Sequence, residues 1–356
     1  MEIETQRLIR LAQKRFSEIL KDGFRLFIKT YGTIIIPLAF FQILLIILNI
    51  FILTDFRVYI DSLGITYDAI MDNFLTGITL TESEWNFLTT FLVLDWIFLF
   101  LQNLIGAIVI TIAMCSVSNY VFKTYMKEDI SFIESFKMSF NRRLFLAILI
   151  LGVGLPLSSL LLFIPAIFIF GFFIFLVFTF NMESKSNPIS EARAISKGAF
   201  LKIIGIFLIN VILISIIRYF VVTLFSIILN TESSVFIANF NSWFDPITRN
   251  YGMIILYQIL MSFIDIIFAP LFICLLTTLF SSLKARRYLS QEDYFITRTY
   301  EDLYSQQKEV FNEDKTQESK PMIPLKENFY CPFCGHYVSI PKKFCSKCGE
   351  SFEFIK

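Results

Sequence analysis

The sequence predicts an all-α, polytopic six-helix transmembrane bundle with interfacial amphipathic helices and a small cysteine-rich module at its C-terminal end. Three observations carry that expectation. Hydrophobic residues make up 56% of the 356 and charged residues only 17%, with a mean hydropathy of +0.67. A soluble domain has about a quarter charged residues, so most of this chain does not face water. The apolar residues gather into long runs, and the charged ones crowd into the N-terminus, a few loops and the tail. The cysteines divide into Cys115 and Cys274, inside apolar runs, and a compact tail group of Cys331, Cys334, Cys345 and Cys348.

The elements follow in chain order. Residues 1–29 are polar and basic, longer than the short basic lead of a secretory signal, and no cleavable signal is expected. Crossing a hydrocarbon core of about 30 Å takes about 20 apolar residues. Residues 31–53, 87–116, 144–163, 165–180, 201–229 and 251–283 meet that requirement. The third and fourth runs nearly touch, with Pro156 and Pro165 at their junction; a short helical hairpin and a single broken or re-entrant segment both fit. Lys and Arg near span ends are retained on the cytoplasmic side. They fill the N-terminus, the second loop (Lys123, Lys127, Lys137, Arg142, Arg143), the fourth (Lys185, Arg193, Lys197, Lys202) and the start of the tail (Lys284, Arg286, Arg287). The first loop holds only Arg57 among its acids and the fifth only Arg249. A multi-pass protein of the cell membrane with both termini cytoplasmic is the expectation. With a net charge of +1, no global attraction to nucleic acid follows.

A repeat precedes alternate runs. Glu18, Glu134 and Glu191 are each followed five residues later by a small residue, Gly23, Ser139 and Ser196. Apolar and basic residues alternate at helical spacing around them, as in Phe16, Ile19, Leu20 and Phe24 beside Arg15, Lys21 and Arg25. Such segments either lie along the inner surface, basic residues against anionic headgroups, or extend the spans into the cytosol. In this pattern residues 130–151 and 188–209 resemble the prokaryotic family that includes the membrane domain of glycerophosphoryl diester phosphodiesterases and related multi-span proteins. The resemblance implies a fold for residues 1–283 and no activity, because the catalytic barrel of those enzymes needs about 250 residues.

Beyond residue 283 the composition turns polar. Residues 290–311 read as a helix with Ser290 as N-cap, 312–328 with Pro321 and Pro324 as a flexible linker, and 329–356 as a separate module. There, Cys331-Pro-Phe-Cys334-Gly and Cys345-Ser-Lys-Cys348-Gly bracket ten residues. Two Cys-x-x-Cys turns let four thiolates close a tetrahedron around zinc, and the following glycines free backbone N–H groups to point at sulfur. A closed four-thiolate shell is structural rather than catalytic; an iron centre and a redox dithiol pair are the competing readings. So short a module has almost no core, and bound Zn2+ supplies its folding free energy. Residues 330–354 resemble the short CPxCG-type zinc ribbons of β-hairpins, matched at all four ligand positions. Thiolates require a reducing compartment, in keeping with a cytoplasmic tail. Lys342, Lys343, Lys347 and Lys356 with Phe333, Tyr337 and Phe344 offer a surface for nucleic acid. Glu350 and Glu353 oppose that, and a cytoplasmic protein partner is favoured; a homo-oligomer is compatible.

Charges inside spans need a partner or a use. Arg218 lies about 24 Å from Lys202 and Asp265 about 28 Å from Lys284 at 1.5 Å per residue, which predicts an ion pair. Asp95 falls nearer the outer surface. Gln102, Asn103, Asn210 and Gln258 read as interhelical hydrogen-bond glue. The single histidine, His336, sits among the tail cysteines, so no histidine-dependent chemistry is expected within the bundle. Asp265 also lacks the preceding glycine pattern of aspartyl intramembrane proteases. The reading is therefore non-enzymatic: a membrane scaffold or regulator presenting the ribbon. The alternative is a transporter or lipid-handling permease with a path near Asp95, Arg218 and Asp265.

Overall fold

The computed structural model describes residues 2–160, 164–182, 187–229, 233–311, 329–330 and 337–338. The architecture is helical, with α1 over Glu2–Gln13, α2 over Phe16–Leu75 and α3 over Glu82–Tyr125. A short α4 (Phe132–Ser139) leads into α5 (Leu144–Ala147), a π-helical turn (Ile148–Gly154) and α6 (Leu155–Ser159). Then come α7 (Ile164–Phe173), α8 (Leu176–Thr179), α9 (Pro188–Ser196), α10 (Phe200–Leu229), α11 (Ser234–Phe244), α12 (Tyr251–Met261) and α13 (Phe263–Phe311). One two-stranded sheet, β1 (Phe329–Tyr330) with β2 (Tyr337–Val338), completes the described elements.

The long apolar helices fit a multi-pass membrane protein. Among the described residues four helices are long and apolar enough to cross, α2, α3, α10 and α13. The third and fourth runs instead form short pieces, Leu144–Ser159 and Ile164–Thr179. At 1.5 Å per residue each rises about 24 Å, less than the hydrocarbon core. Together they form a hairpin whose two ends meet. Asn141 Nδ2 donates to Asn181 Oδ1 at 3.0 Å, and Arg143 Nη1 donates to the Met182 carbonyl at 3.0 Å. Gly152 lets the π-helical turn approach α3, since a Cβ there would stand 3.1 Å from Ile108 Cα.

Three boundaries also differ from expectation. The acidic stretch after residue 53 stays helical to Leu75, leaving only 76–81 as loop. Aromatic pairs fasten this extension of α2 to α3: Phe56 with Phe98, Tyr67 with Phe91 and Phe74 with Trp85. No helix begins at Ser290, because α13 runs through that position. The sixth run is divided at Ser262, whose N–H still bonds the Gln258 carbonyl while α13 begins at the next residue.

The repeat is a packing device. The residue after each glutamate and the one four later are buried: Ile19 and Gly23, Ser135 and Ser139, Ala192 and Ser196. Four residues is about one helical turn, so both face the same way. In the first copy the lead-in is simply the start of α2. In the second and third it is a separate helix, α4 or α9, and α4 is bent 70° from the segment that follows. α4 also exposes Ile133 and Met138, and its C-cap Phe140 is exposed too, which suits an interfacial position.

Two compact units emerge, one of Met1–Leu20 with Thr278–Lys356 and one of Lys21–Thr277. In the first, Arg286 reaches the end of α1, donating from Nε to the Ala12 carbonyl at 2.6 Å and from Nη2 to the Lys14 carbonyl at 3.0 Å. Cations are favoured at helix C-termini. Thr278 Oγ1 donates to the Ile19 carbonyl at 3.1 Å. In the second, the C-terminal half of α3 buries a run of mainly small side chains, among them Ala113, Cys115, Ser116, Val117 and Ser118. Small residues allow helices to approach closely where lipid offers no hydrophobic drive. The outward faces of α2, α3 and α10 are broadly apolar and exposed, a surface water does not tolerate and a bilayer does.

Candidate functional site

The four tail cysteines, Cys331, Cys334, Cys345 and Cys348, lie outside the described residues, as does His336. What is described beside them is the hairpin: Phe329 pairs with Val338 and Tyr330 with Tyr337, antiparallel. Its strands thus join immediately before Cys331 and immediately after His336. Four thiols in two Cys-x-x-Cys turns match the number and softness of ligands zinc takes in closed sites. Among the described residues no group of three or more His, Cys, Asp or Glu side chains is placed to hold a metal. Cys115 and Cys274 are buried separately, Cys274 beside Thr30 Oγ1 at 3.6 Å.

Within the bundle the expected ion pair is present, with Arg218 Nη1 3.2 Å from Asp265 Oδ2. Thr30 stands beside Cys274, and Asp265 lies nine residues before Cys274 on α13, about 14 Å along the helix. Asp265 also occupies the first turn of α13, where a carboxylate is favoured by the helix dipole. Asp95 does not join the pair; it makes no hydrogen bond or ion pair with another described residue. No family model matches the chain, and comparisons with curated proteins and with solved structures find no match. The polar side chains expected to act as glue do so poorly. Asn210 is buried with Oδ1 unpartnered among the described residues, and Asn49 Oδ1 shares that condition.

Sequence reasoning missed a second charged cluster, between α2 and the segment joining α11 to α12. Arg249 Nη1 donates to Asp55 and, at 3.1 Å, to the Tyr251 hydroxyl, while its guanidinium stands 5.6 Å from the Tyr251 ring centroid. Those bonds, first Tyr251 and then Asp55, hold its pKa above the ordinary arginine value. The cluster joins residues 194 apart, a link no local pattern announces.

Proposed function

We propose that this chain is a non-enzymatic membrane scaffold or regulator that presents a structural zinc ribbon to a protein partner on the cytoplasmic side. The reading rests on the four tail cysteines together with the register of β1 and β2, which brings together the residues flanking the first Cys-x-x-Cys turn. Cys331, Cys334, Cys345 and Cys348 would hold the ion, whose contribution is folding free energy and not catalysis. α13 runs unbroken to Phe311, so the module follows a membrane helix in the sequence. The four long helices cross the membrane and the 144–180 hairpin enters and returns, leaving both termini cytoplasmic with the basic loops. The test is metal content and capture on the full-length, detergent-purified protein. One zinc per chain, lost in Cys331→Ser with Cys348→Ser, and a cytoplasmic partner lost with it, are the expected results. A chain without zinc, or a partner indifferent to the cysteines, would overturn the reading.

A transporter is the second reading, favoured by one observation: the helix break at Ser262 lies three residues before Asp265 of the charged pair, and interrupted helices mark the sites of many transporters. It requires uptake that falls on neutralising Asp265 and survives deletion of the ribbon.

A further inference from the structure

The base of the 144–180 hairpin gathers positive charge where the chain enters its apolar arms. No residue from 144 to 182 is charged, and Arg142 and Arg143 stand immediately before that stretch. Whatever depth the arms reach, this base is where the chain leaves water. Asn141 fixes the turn that carries the two arginines. Its Nδ2 donates to the Met138 carbonyl at 3.1 Å and to Asn181 Oδ1 at 3.0 Å. Its Oδ1 accepts from the Arg143 N–H at 2.9 Å and the Leu144 N–H at 3.2 Å. The guanidinium groups, by contrast, are short of acceptors. Arg142 is exposed and its side chain has no hydrogen bond or ion pair with another described residue, and exposed Arg143 gives one N–H to the Met182 carbonyl. Over residues 131–145 three cations, these two and Lys137, stand against one acid, Glu134.

The side chains next to Arg142 are apolar and equally uncovered. The backbone already turns through the arginines, with the Leu144 N–H on the Asn141 carbonyl at 3.0 Å. Arg142, Phe145 and Leu149 therefore follow one another at about one turn and rise along one side of the arm. All three are exposed, Phe145 at 66%. The other copies of the repeat place an exposed cation and an exposed apolar residue in the same order, Arg25 before Ile28 and Lys197 before Leu201. Lys197 has no ion pair with a described residue, and Arg25 only a 3.9 Å contact with Asp22. A free guanidinium above an apolar stripe complements a molecule with a phosphate at one end and a hydrocarbon chain at the other. The surplus of cations selects a net negative charge, because a zwitterionic lipid brings an ammonium that finds only Glu134. We propose that the hairpin base binds an anionic phospholipid, its phosphate on Arg142 and Arg143 and an acyl chain along Phe145 and Leu149.

A phosphatidylglycerol with a diazirine in its acyl chain, added to full-length protein in phosphatidylcholine vesicles, tests this. Label is expected on the peptide that contains Phe145 and Leu149, displaced by unlabelled phosphatidylglycerol although phosphatidylcholine is in large excess. Arg142→Gln should lower that labelling about fivefold, the factor that one Lys or Arg contributes at an anionic surface. Because Arg142 has no partner among the described residues, the melting temperature should stay unchanged, which separates lost binding from misfolding. Arg142→Lys with Arg143→Lys keeps the charge and should retain most of the labelling, and Arg57→Gln, on the α2 extension, should leave it as it is. Equal labelling by a photoreactive phosphatidylcholine, or wild-type labelling in Arg142→Gln, would overturn the site. Displacement by millimolar inorganic phosphate would assign it to a soluble anion and refute the lipid.

Discussion

Arg249 illustrates how a residue's role depends on partners far along the chain. Its side chain is nearly enclosed, with contacts to Asp55, the Tyr251 hydroxyl and the Phe244 carbonyl. Arg249→Ala should therefore cost about 1–3 kcal/mol, the range for lost hydrogen bonds to a charged group, read as a lower melting temperature in detergent. Asp55→Asn should cost less than about 1 kcal/mol, because Asp55 itself is largely exposed. Equal losses would mean the ion pair, and not the enclosure of Arg249, matters. Glu84, which precedes the apolar run of α3, offers a pH test. Its carboxylate accepts from the Thr81 N–H at 2.7 Å and from the Thr81 hydroxyl, closing a capping box. Those bonds hold its pKa below the usual glutamate value. A lowered folded-state pKa means the box contributes fully above the ordinary carboxylate range and loses its contribution as pH falls through the lowered value. Amide exchange at Thr81 should accelerate there, and Glu84→Gln should remove the pH dependence. The capping box could be read in advance from Thr81-x-x-Glu84; Arg249 with Asp55 could not, since nothing local couples them.

Among elements, the apolar runs and the glutamate repeat were legible because hydrophobicity and one-turn spacing are local properties. The helix breaks were not. Pro37 and Pro270 stand inside α2 and α13, whereas the break falls at Ser262 beside no proline or glycine. Neighbouring helices and local adjustment satisfy the backbone groups a proline frees within a membrane, so tertiary packing decides where the helix yields. The same packing fixes Gly171, where an added Cβ would fall onto the Phe200 ring. That ring is wedged between Phe168 and Phe172, each 5.7 Å away between centroids. Gly171→Ala should destabilise by about 1–3 kcal/mol as overpacking, and Phe200→Leu in the same chain should recover much of it. If the double variant melts no higher than Gly171→Ala alone, the contact is not the cause. A milder case ends α3, where Lys127 adopts φ 54° and Glu128 N–H bonds the Lys123 carbonyl at 2.9 Å. This is a Schellman turn without its usual glycine. Lys127→Gly should be neutral or stabilising by up to about 1 kcal/mol, against the usual sign for glycine near a helix.

For the whole molecule, the side on which each end lies depends on the 144–180 hairpin more than on any long helix. Counting the hairpin's first arm, Leu144–Ser159, together with α4 as one bent span would raise the number of candidate spans to five and, with no return, separate the termini. Its ends, however, are tied together through Asn141 with Asn181 and Arg143 with the Met182 carbonyl, so the chain returns to the side it left. The hairpin therefore adds no net crossing whether its two arms cross or only enter, in keeping with the orientation that the basic loops lead one to expect. What the sequence lacked was the length of each arm, since a helix of 16 residues and one of 20 look alike in composition. Impermeant thiol labelling on intact cells distinguishes the alternatives. Cysteines placed at the N-terminus and in the linker before the ribbon should both stay protected until the membrane is opened. One at Thr76, in the loop between α2 and α3, should label at once. A cysteine at Ile164, near the hairpin turn, discriminates further: rapid outside labelling means two full crossings, and protection means a re-entrant loop. Labelling of the N-terminus and the linker from opposite sides would sever the link between the paired hairpin base and the orientation of the chain, and with it the cytoplasmic placement of the four cysteines.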